Sequence, residues 1–210
     1  MNDFKDKVVL ITGAGKGSGR VLAEAFAAQG AFVALNDISP VNVDEVVTDI
    51  ISHGGKAKSY LEDVARKLAL QSLVKQIEDD LGHIDILIYH ASVKPDTALL
   101  DMDEWDWHRV LDVNLTGAFL AMQTVGRVMR AQGWGVTINL ISGADEGLGQ
   151  DSAYQASMAG LLALTRSAAH EFGPHGIRVN GLVNVSHNQI AELVFDLCLS
   201  DANGKIVNGG

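Results

Sequence analysis

Short apolar, β-branched runs alternate with longer segments of helical periodicity along the whole chain. Such alternation is typical of βαβ units, in which helices join parallel strands and cover both faces of one sheet. The strand candidates are residues 7–12, 31–37, 56–63, 84–91, 135–142, 177–183 and 204–210. The helix candidates are residues 18–29, 41–53, 66–81, 104–132, 153–172 and 188–200. The pattern predicts an α/β fold with one doubly wound parallel sheet of about seven strands, and ligands at the carboxyl ends of the strands.

Composition limits the classes of protein that the chain can belong to. Its 210 residues suffice for one substantial core, so we predict a single domain over residues 1–210. The formal net charge of −10 and the absence of long Lys/Arg runs argue against a nucleic-acid or anionic membrane surface. The single cysteine, Cys198, is interpreted as a core residue. No apolar stretch approaches the ~20 residues that a membrane span needs, and a soluble cytoplasmic protein is expected.

A glycine-rich segment, "TGAGKGSGR" at residues 12–20, directly follows the first predicted strand. A P-loop would need Ser or Thr after Lys16, and the fingerprint GxGxxG would need its third glycine where Ser18 or Arg20 stands. The pattern present is TGxxxGxG, which lets the backbone approach a pyrophosphate at a helix N-terminus. The alternative is that the glycines serve only a tight strand-to-helix turn. The predicted cofactor-binding residues of this segment are Gly13, Lys16, Gly17, Ser18 and Gly19.

An acidic residue, Asp37, ends the second predicted strand. A carboxylate there can accept hydrogen bonds from the ribose hydroxyls of an adenosine and would repel a 2′-phosphate, so NAD is favoured over NADP. Lys16 in the glycine segment argues the other way, because a cation there could meet a 2′-phosphate. The alternative for Asp37 is capping of the next helix.

Further motifs follow the glycine segment in a fixed order: "LEDV" (61–64), "DVNLTGAF" (112–119), "INLIS" (138–142), "YQAS" (154–157) and "FGPHGIRVNG" (172–181). Together with "TGAGKGSG", they make the chain resemble the classical short-chain dehydrogenases/reductases over nearly its whole length. The resemblance implies a Rossmann-type sheet, a nicotinamide cofactor, a small-molecule substrate and hydride transfer between the cofactor and a carbonyl or alcohol. It further implies that Asp63 and Val64 hold the adenine and that Ala91 lines the cofactor pocket.

The family uses a tetrad of Asn, Ser, Tyr and Lys for proton transfer. The resemblance places the first three at Asn114, Ser142 and Tyr154, while the fourth position falls on Met158. Where the family has NNAG after its fourth strand, this chain has "YHAS" (89–92). The Pro-Gly pair after the sixth strand is replaced by "VNVSHN" (183–188), and the helical substrate lid that follows is nearly absent.

Two functions remain open on these residues. The first is an NAD(H)-binding oxidoreductase with impaired acid/base machinery, in which His90 is a candidate replacement for the missing lysine. The second is a non-catalytic cofactor-binding scaffold or regulatory module of the same fold. No metal site is predicted, because His170, Glu171 and His175 have the wrong spacing for a zinc helix.

Small residues recur on the helix predicted to begin at residue 153, and they would let another helix approach closely. They are Ala153, Ala156, Gly160 and Ala163. In the family, this helix and the one before it pair across subunits, so a homodimer or homotetramer is expected. The alternative is that this face packs on the chain's own sheet.

Overall fold

Seven strands form one parallel sheet in the computed structural model, which describes residues 3–142 and 152–209. They are β1 (Val8–Thr12), β2 (Phe32–Asp37), β3 (Lys56–Leu61), β4 (Ile86–Tyr89), β5 (Gly135–Ile141), β6 (Ile177–Val183) and β7 (Ile206–Asn208). Their order is β3-β2-β1-β4-β5-β6-β7, and every neighbouring pair is parallel. The predicted doubly wound sheet is confirmed. Its order reverses between β1 and β4, the place where this architecture binds ligands.

Helices cover both faces of the sheet. They are α1 (Gly17–Ala28), α2 (Pro40–Ser52), α3 (Lys67–Leu81), α4 (Glu104–Leu111), α5 (Gly117–Gln132), α6 (Ser152–Phe172) and α7 (Ile190–Leu199). Residues of α1, α2 and α7 share one apolar core, and residues of α3, α5 and α6 share the other. Most predicted helix and strand ends differ from the observed ones by one or two residues, as fraying ends normally do.

The interior strand β1 shows how the sheet is held between two apolar cores. All five of its residues are buried. Val8 and Leu10 point into one core, whereas Val9 and Ile11 point into the other, because successive side chains of a strand face opposite sides. Burying each such side chain stabilises the fold by roughly 1.5–3 kcal/mol. The glycine segment after β1 is therefore attached to a strand that is buried on both faces.

The predicted helix over residues 104–132 is interrupted, and this corrects the sequence-based expectation. A single π-helical turn, Asp112–Thr116, separates α4 from α5. The buried Tyr89 hydroxyl donates a hydrogen bond of 2.5 Å to the carbonyl oxygen of Val113 in this turn. A Cβ at position 117 would overlap that hydroxyl, so Gly117 leaves room for it. Tyr89, which replaces an expected cofactor-pocket residue, instead holds the wide turn in place.

Two observations bear on the expectations drawn from composition. Cys198 is buried in α7, and burial raises the pKa of its thiol to about 12, as befits a core residue and not a nucleophile. Across residues 3–142 and 152–209, none of the helices combines the length and apolar character needed to traverse a lipid bilayer.

Candidate active site

A cleft of about 270 Å³ lies at the carboxyl ends of β1 to β4. Six of the predicted cofactor-binding residues line it, and they are Gly13, Lys16, Asp37, Asp63, Val64 and Ala91. The other three, Gly17, Ser18 and Gly19, form the first turn of α1 beside it. We call the part of the cleft around Asp37 and Asp63 the adenosine side, and the region around Tyr154 the substrate side.

The glycine segment is packed so closely that side chains are excluded from it. Gly13 has a φ of 67°, in the left-handed region, and a Cβ there would lie 2.9 Å from the Cα of Ala91. A Cβ at Gly19 would overlap the carbonyl oxygen of Gly13. The Lys16 side chain makes no capping hydrogen bond to the first turn of α1. Bare backbone next to uncapped N–H groups fits the pyrophosphate of a dinucleotide.

Both carboxylate oxygens of Asp37 already accept backbone hydrogen bonds. One accepts from the Gly15 N–H at 2.9 Å, and the other accepts from the Ser39 N–H at 2.9 Å. Ser39 immediately precedes α2 and makes no side-chain capping bond. The bond to Asp37 therefore fixes the backbone at the entry to α2 without reaching the N–H groups of its first turn. Each carboxylate oxygen can accept a second hydrogen bond, so the ribose-binding function is compatible with the first.

Two arginine side chains lie near Asp63 on the adenosine side. One Asp63 oxygen accepts a hydrogen bond of 3.0 Å from the Ala65 N–H, and the other lies 3.7 Å from the guanidinium groups of both Arg66 and Arg109. Arg109 also lines the cleft, and the sequence reasoning missed it. It belongs to α4, so no strand-end signal marked it.

The segment after β4 is tied to the glycine segment. The Thr12 hydroxyl accepts hydrogen bonds from the N–H groups of His90 at 3.1 Å and Ala91 at 3.2 Å. His90 Nδ1 lies 3.0 Å from the carbonyl oxygen of Gly13 and donates to it. Burial lowers the pKa of His90, which favours the neutral imidazole. His90 therefore stabilises the glycine segment as a neutral side chain. The geometry does not support it as a cation that replaces the family's lysine.

On the substrate side, Asn114 and Tyr154 are brought together through Ser157. Asn114 lies in the π-helical turn and is fully buried. Its Nδ2 donates to the Ser157 hydroxyl at 3.0 Å, and that hydroxyl donates to the carbonyl oxygen of Tyr154 at 2.7 Å. The Asn114 side chain also bonds both backbone groups of Val93, accepting from the N–H at 2.8 Å and donating to the carbonyl oxygen at 3.0 Å. The amide thus fixes the loop after β4 to the start of α6.

Met158 lies one helical turn after Tyr154 and is only 2% exposed. It packs in the core with Tyr154, which is 6% exposed. A different cation lies beside the tyrosine: Lys94 Nζ is 5.1 Å from the centre of its ring. Lys94 follows β4 by five residues, and sequence reasoning gave no reason to pair it with a residue on α6.

Ser142 follows β5 directly and is exposed. The connection from it toward Tyr154, residues 143–151, lies outside the described residues. After β6, Asn184 has a φ of 48°, a conformation that proline cannot adopt. α7 begins at Ile190, so a short turn stands where the family has its lid. A Cβ at Gly17 would lie 3.7 Å from His187 Nε2, which places this turn over the glycine segment.

Comparisons with known proteins agree with the geometry. Residues 7–185 match the family model described as short chain dehydrogenase. An uncharacterized oxidoreductase of Thermotoga maritima is 40% identical over 181 residues, which are 86% of this chain and 71% of the relative. D-threitol dehydrogenase of Mycolicibacterium smegmatis is 31% identical over 212 residues, covering 99% of this chain and 82% of the relative.

Solved structures agree over the same extent. The NAD+-bound structure of a xylitol dehydrogenase superposes with a TM-score of 0.93 at 27% identity, covering 99% of this chain and 100% of that one. Sequence and fold agree from the glycine segment to the last strand. The chain therefore belongs to the short-chain dehydrogenase family.

Proposed function

We propose that the protein is an NAD(H)-dependent oxidoreductase that interconverts a small carbonyl compound and its alcohol with weakened proton-transfer machinery. The observation that carries the proposal is the Asn114–Ser157–Tyr154 network at the same sheet edge as the glycine segment. The network fixes the backbone of α6 at Tyr154, and a protein that only bound a nucleotide would have no chemical need for a tyrosine at this position.

Residues on the adenosine side bind the cofactor, and residues on the substrate side transfer the proton. The glycine segment would hold the pyrophosphate of the cofactor, Asp37 would hold the ribose, and Asp63 with Val64 would hold the adenine. The bound cofactor supplies or accepts the hydride. Tyr154 donates a proton to the carbonyl oxygen during reduction and accepts it during oxidation, and Ser142 supplies the second hydroxyl.

We further propose that NAD(H) is the preferred cofactor. The Asp37 carboxylate would repel a 2′-phosphate, and the guanidinium group of Arg20 is already paired with three carboxylates, Glu24, Glu45 and Asp49. Lys16 is the opposing cation. Fluorescence titration with NADH and NADPH is expected to show at least tenfold tighter binding of NADH, or about 1.4 kcal/mol. Equal or inverted affinities would contradict the assignment, and binding of neither cofactor would contradict both the oxidoreductase and the cofactor-binding scaffold.

Methionine at position 158, where the family has a lysine, weakens base catalysis by Tyr154. An unperturbed tyrosine has a pKa near 10, so a useful base near pH 7 needs a shift of about 3 units, or roughly 4 kcal/mol. A lysine ammonium at ~4 Å contributes about this much at an effective dielectric constant of ~20. Methionine contributes no such field, and it cannot hydrogen-bond the nicotinamide ribose.

The loss of catalytic rate caused by Met158 should be unequal in the two reaction directions. Oxidation of an alcohol needs tyrosinate, whereas reduction needs the protonated tyrosine that predominates at neutral pH. We expect diacetyl to be reduced by NADH faster than acetoin is oxidised by NAD at pH 7. Below the tyrosine pKa, the oxidation rate should rise about tenfold per pH unit. Initial rates in both directions test this, and faster oxidation at neutral pH would contradict it.

Substituting Met158→Lys tests whether the site is otherwise intact. Residue 158 lies one turn from Tyr154 on the same helix face, so the new ammonium can approach the tyrosine hydroxyl. Turnover of acetoin by NAD at pH 7 is expected to rise by about an order of magnitude, within the range of acid/base contributions, because the new ammonium favours tyrosinate. Thermal unfolding of the variant should be measured alongside, because Met158 is buried. A folded variant that binds NADH but gains no activity would favour the scaffold function.

Self-association is also proposed. Ala156 and Ala163 are exposed on α6, where another subunit could pack against them, while Ala153 packs inside the chain. The small-residue face therefore serves in part the chain's own core and in part a proposed subunit contact. Beside them, α5 and α6 border a cleft of about 360 Å³ that Phe119 and Phe172 help to line. A homodimer or homotetramer formed through these helices would cover it, and light scattering measures the assembly directly.

A further inference from the structure

The Lys94–Tyr154 contact is a second arrangement of the same two residue types that the family uses for proton transfer. The Nζ atom of Lys94 stands 5.1 Å from the centre of the Tyr154 ring. The hydroxyl oxygen is bonded to that ring, so the ammonium lies within about one Debye length of it, ~8 Å at physiological ionic strength. We propose that Lys94 is the positioning residue that electrostatically favours ionisation of Tyr154, taking over part of the function of the lysine absent at position 158.

Hydrogen bonds next to Lys94 hold its loop close to Tyr154. The preceding residue, Val93, is bonded at both its N–H and its carbonyl oxygen by the Asn114 side chain. The same side chain reaches the first turns of α6 through Ser157. Asn114 therefore fixes the loop that carries the cation relative to the helix that carries the tyrosine. A cation over an aromatic ring is attracted to it, which further restricts the lysine.

Any other ionisable group close to the tyrosine would also act on its titration. α6 packs against α4, the π-helical turn, α5, β5 and β6. Among the charged groups of α4, Glu104 pairs with His108 at 3.4 Å, and Arg109 lies 3.7 Å from Asp63. Within the described part of α6, the next ionisable residue after the tyrosine is Arg166, about three turns away. Lys94 is thus the charged side chain seen against the ring in residues 3–142 and 152–209.

The expected size of the effect follows from the separation. Lys94 is exposed, so solvent screens its field. With an effective dielectric constant of about 40 and a separation of about 6–8 Å, Coulomb's law gives a pKa shift of about 1 unit. This is less than a lysine in direct contact would give. A shift of this size leaves most of Tyr154 protonated at pH 7, which agrees with an enzyme that reduces carbonyls faster than it oxidises alcohols. The inference rests on the proposed oxidoreductase function.

Spectroscopic titration of tyrosinate tests the inference without any substrate. The chain has three tyrosines. Burial raises the pKa of Tyr60, with a further contribution from its hydrogen bond to Asp80, and burial also raises the pKa of Tyr89. The tyrosinate titration step that disappears in Tyr154→Phe is therefore the one that belongs to Tyr154.

Lys94→Met is expected to raise the midpoint of that titration by about 1 pH unit, and Lys94→Arg should restore it. Lys67→Met, at the exposed start of α3, is the matched control and should leave it unchanged. The pH dependence of acetoin oxidation should move by the same amount, because removal of the cation delays formation of the base. An unchanged tyrosinate midpoint in folded Lys94→Met overturns the inference. A shifted midpoint without oxidoreductase activity supports the contact and contradicts the proposed function instead.

Discussion

Substituting Tyr154→Phe is expected to reduce the rate of diacetyl reduction by 10²- to 10⁴-fold, the usual contribution of general acid catalysis. Only a hydroxyl is removed from a ring that stays packed in the core, so the fold and NADH affinity should persist. The loss should fall on kcat and on kcat/KM alike, because the proton is transferred only in the transition state. Steady-state kinetics, with a panel of small ketones if diacetyl is a poor substrate, measures it.

Tyr60→Phe is the matched control for that substitution. Its hydroxyl donates a hydrogen bond of 2.9 Å to Asp80, outside both sides of the cleft. The control should lose about 1 kcal/mol of stability and no activity. If Tyr154→Phe keeps more than a tenth of the wild-type rate, another group delivers the proton and the mechanism proposed here is wrong.

Gly13→Ala should have the second large effect, on cofactor affinity. The new Cβ would lie 2.9 Å from the Cα and 3.0 Å from the N of Ala91, both backbone atoms that cannot move aside cheaply. The glycine segment must then shift away from the end of β4. We expect the dissociation constant for NADH to rise at least 100-fold, or about 2.7 kcal/mol. Isothermal titration calorimetry gives this value directly.

Gly54→Ala separates the two causes of damage at Gly13. Gly54 has a φ of 81°, close to the 67° of Gly13, but a Cβ there meets nothing within 4 Å. Both substitutions bear the cost of a left-handed alanine, about 1–2 kcal/mol of stability. Only Gly13→Ala should weaken NADH binding. Equal NADH affinity in the two variants would mean that the glycine segment does not hold the cofactor.

The adenosine side of the site could be predicted well from the sequence because its residues adjoin strand ends. Gly13 and Asp37 each lie at the carboxyl end of a strand that is recognisable by its apolar run, and parallel strands bring those ends to one edge. The strand order itself is not encoded in the alternation of strands and helices. The sequence predicted only a doubly wound parallel sheet, and the observed pairing supplies the order of its strands.

The substrate side could be predicted only in part, because its contacts join residues that are far apart in sequence. Tyr154 and Asn114 carry family motifs, but Lys94 carries none and meets the tyrosine only after the loop and helix have packed. Tyr89 was interpreted as a lost cofactor residue, whereas its hydroxyl bonds a carbonyl group 24 residues away. His90 was considered as a cation, and its burial against the Gly13 carbonyl could not be read from the sequence.

The π-helical turn at Asp112–Thr116 makes chain length a determinant of the site. Such a turn holds one residue more than an α-helical turn, and each residue of an α-helix rotates the chain by about 100°. Deleting one residue there would allow a continuous helix and would turn Asn114 away from Val93 and Ser157. The substrate side could therefore be lost through a single deletion in this turn even though Asn114, Ser142 and Tyr154 all remained.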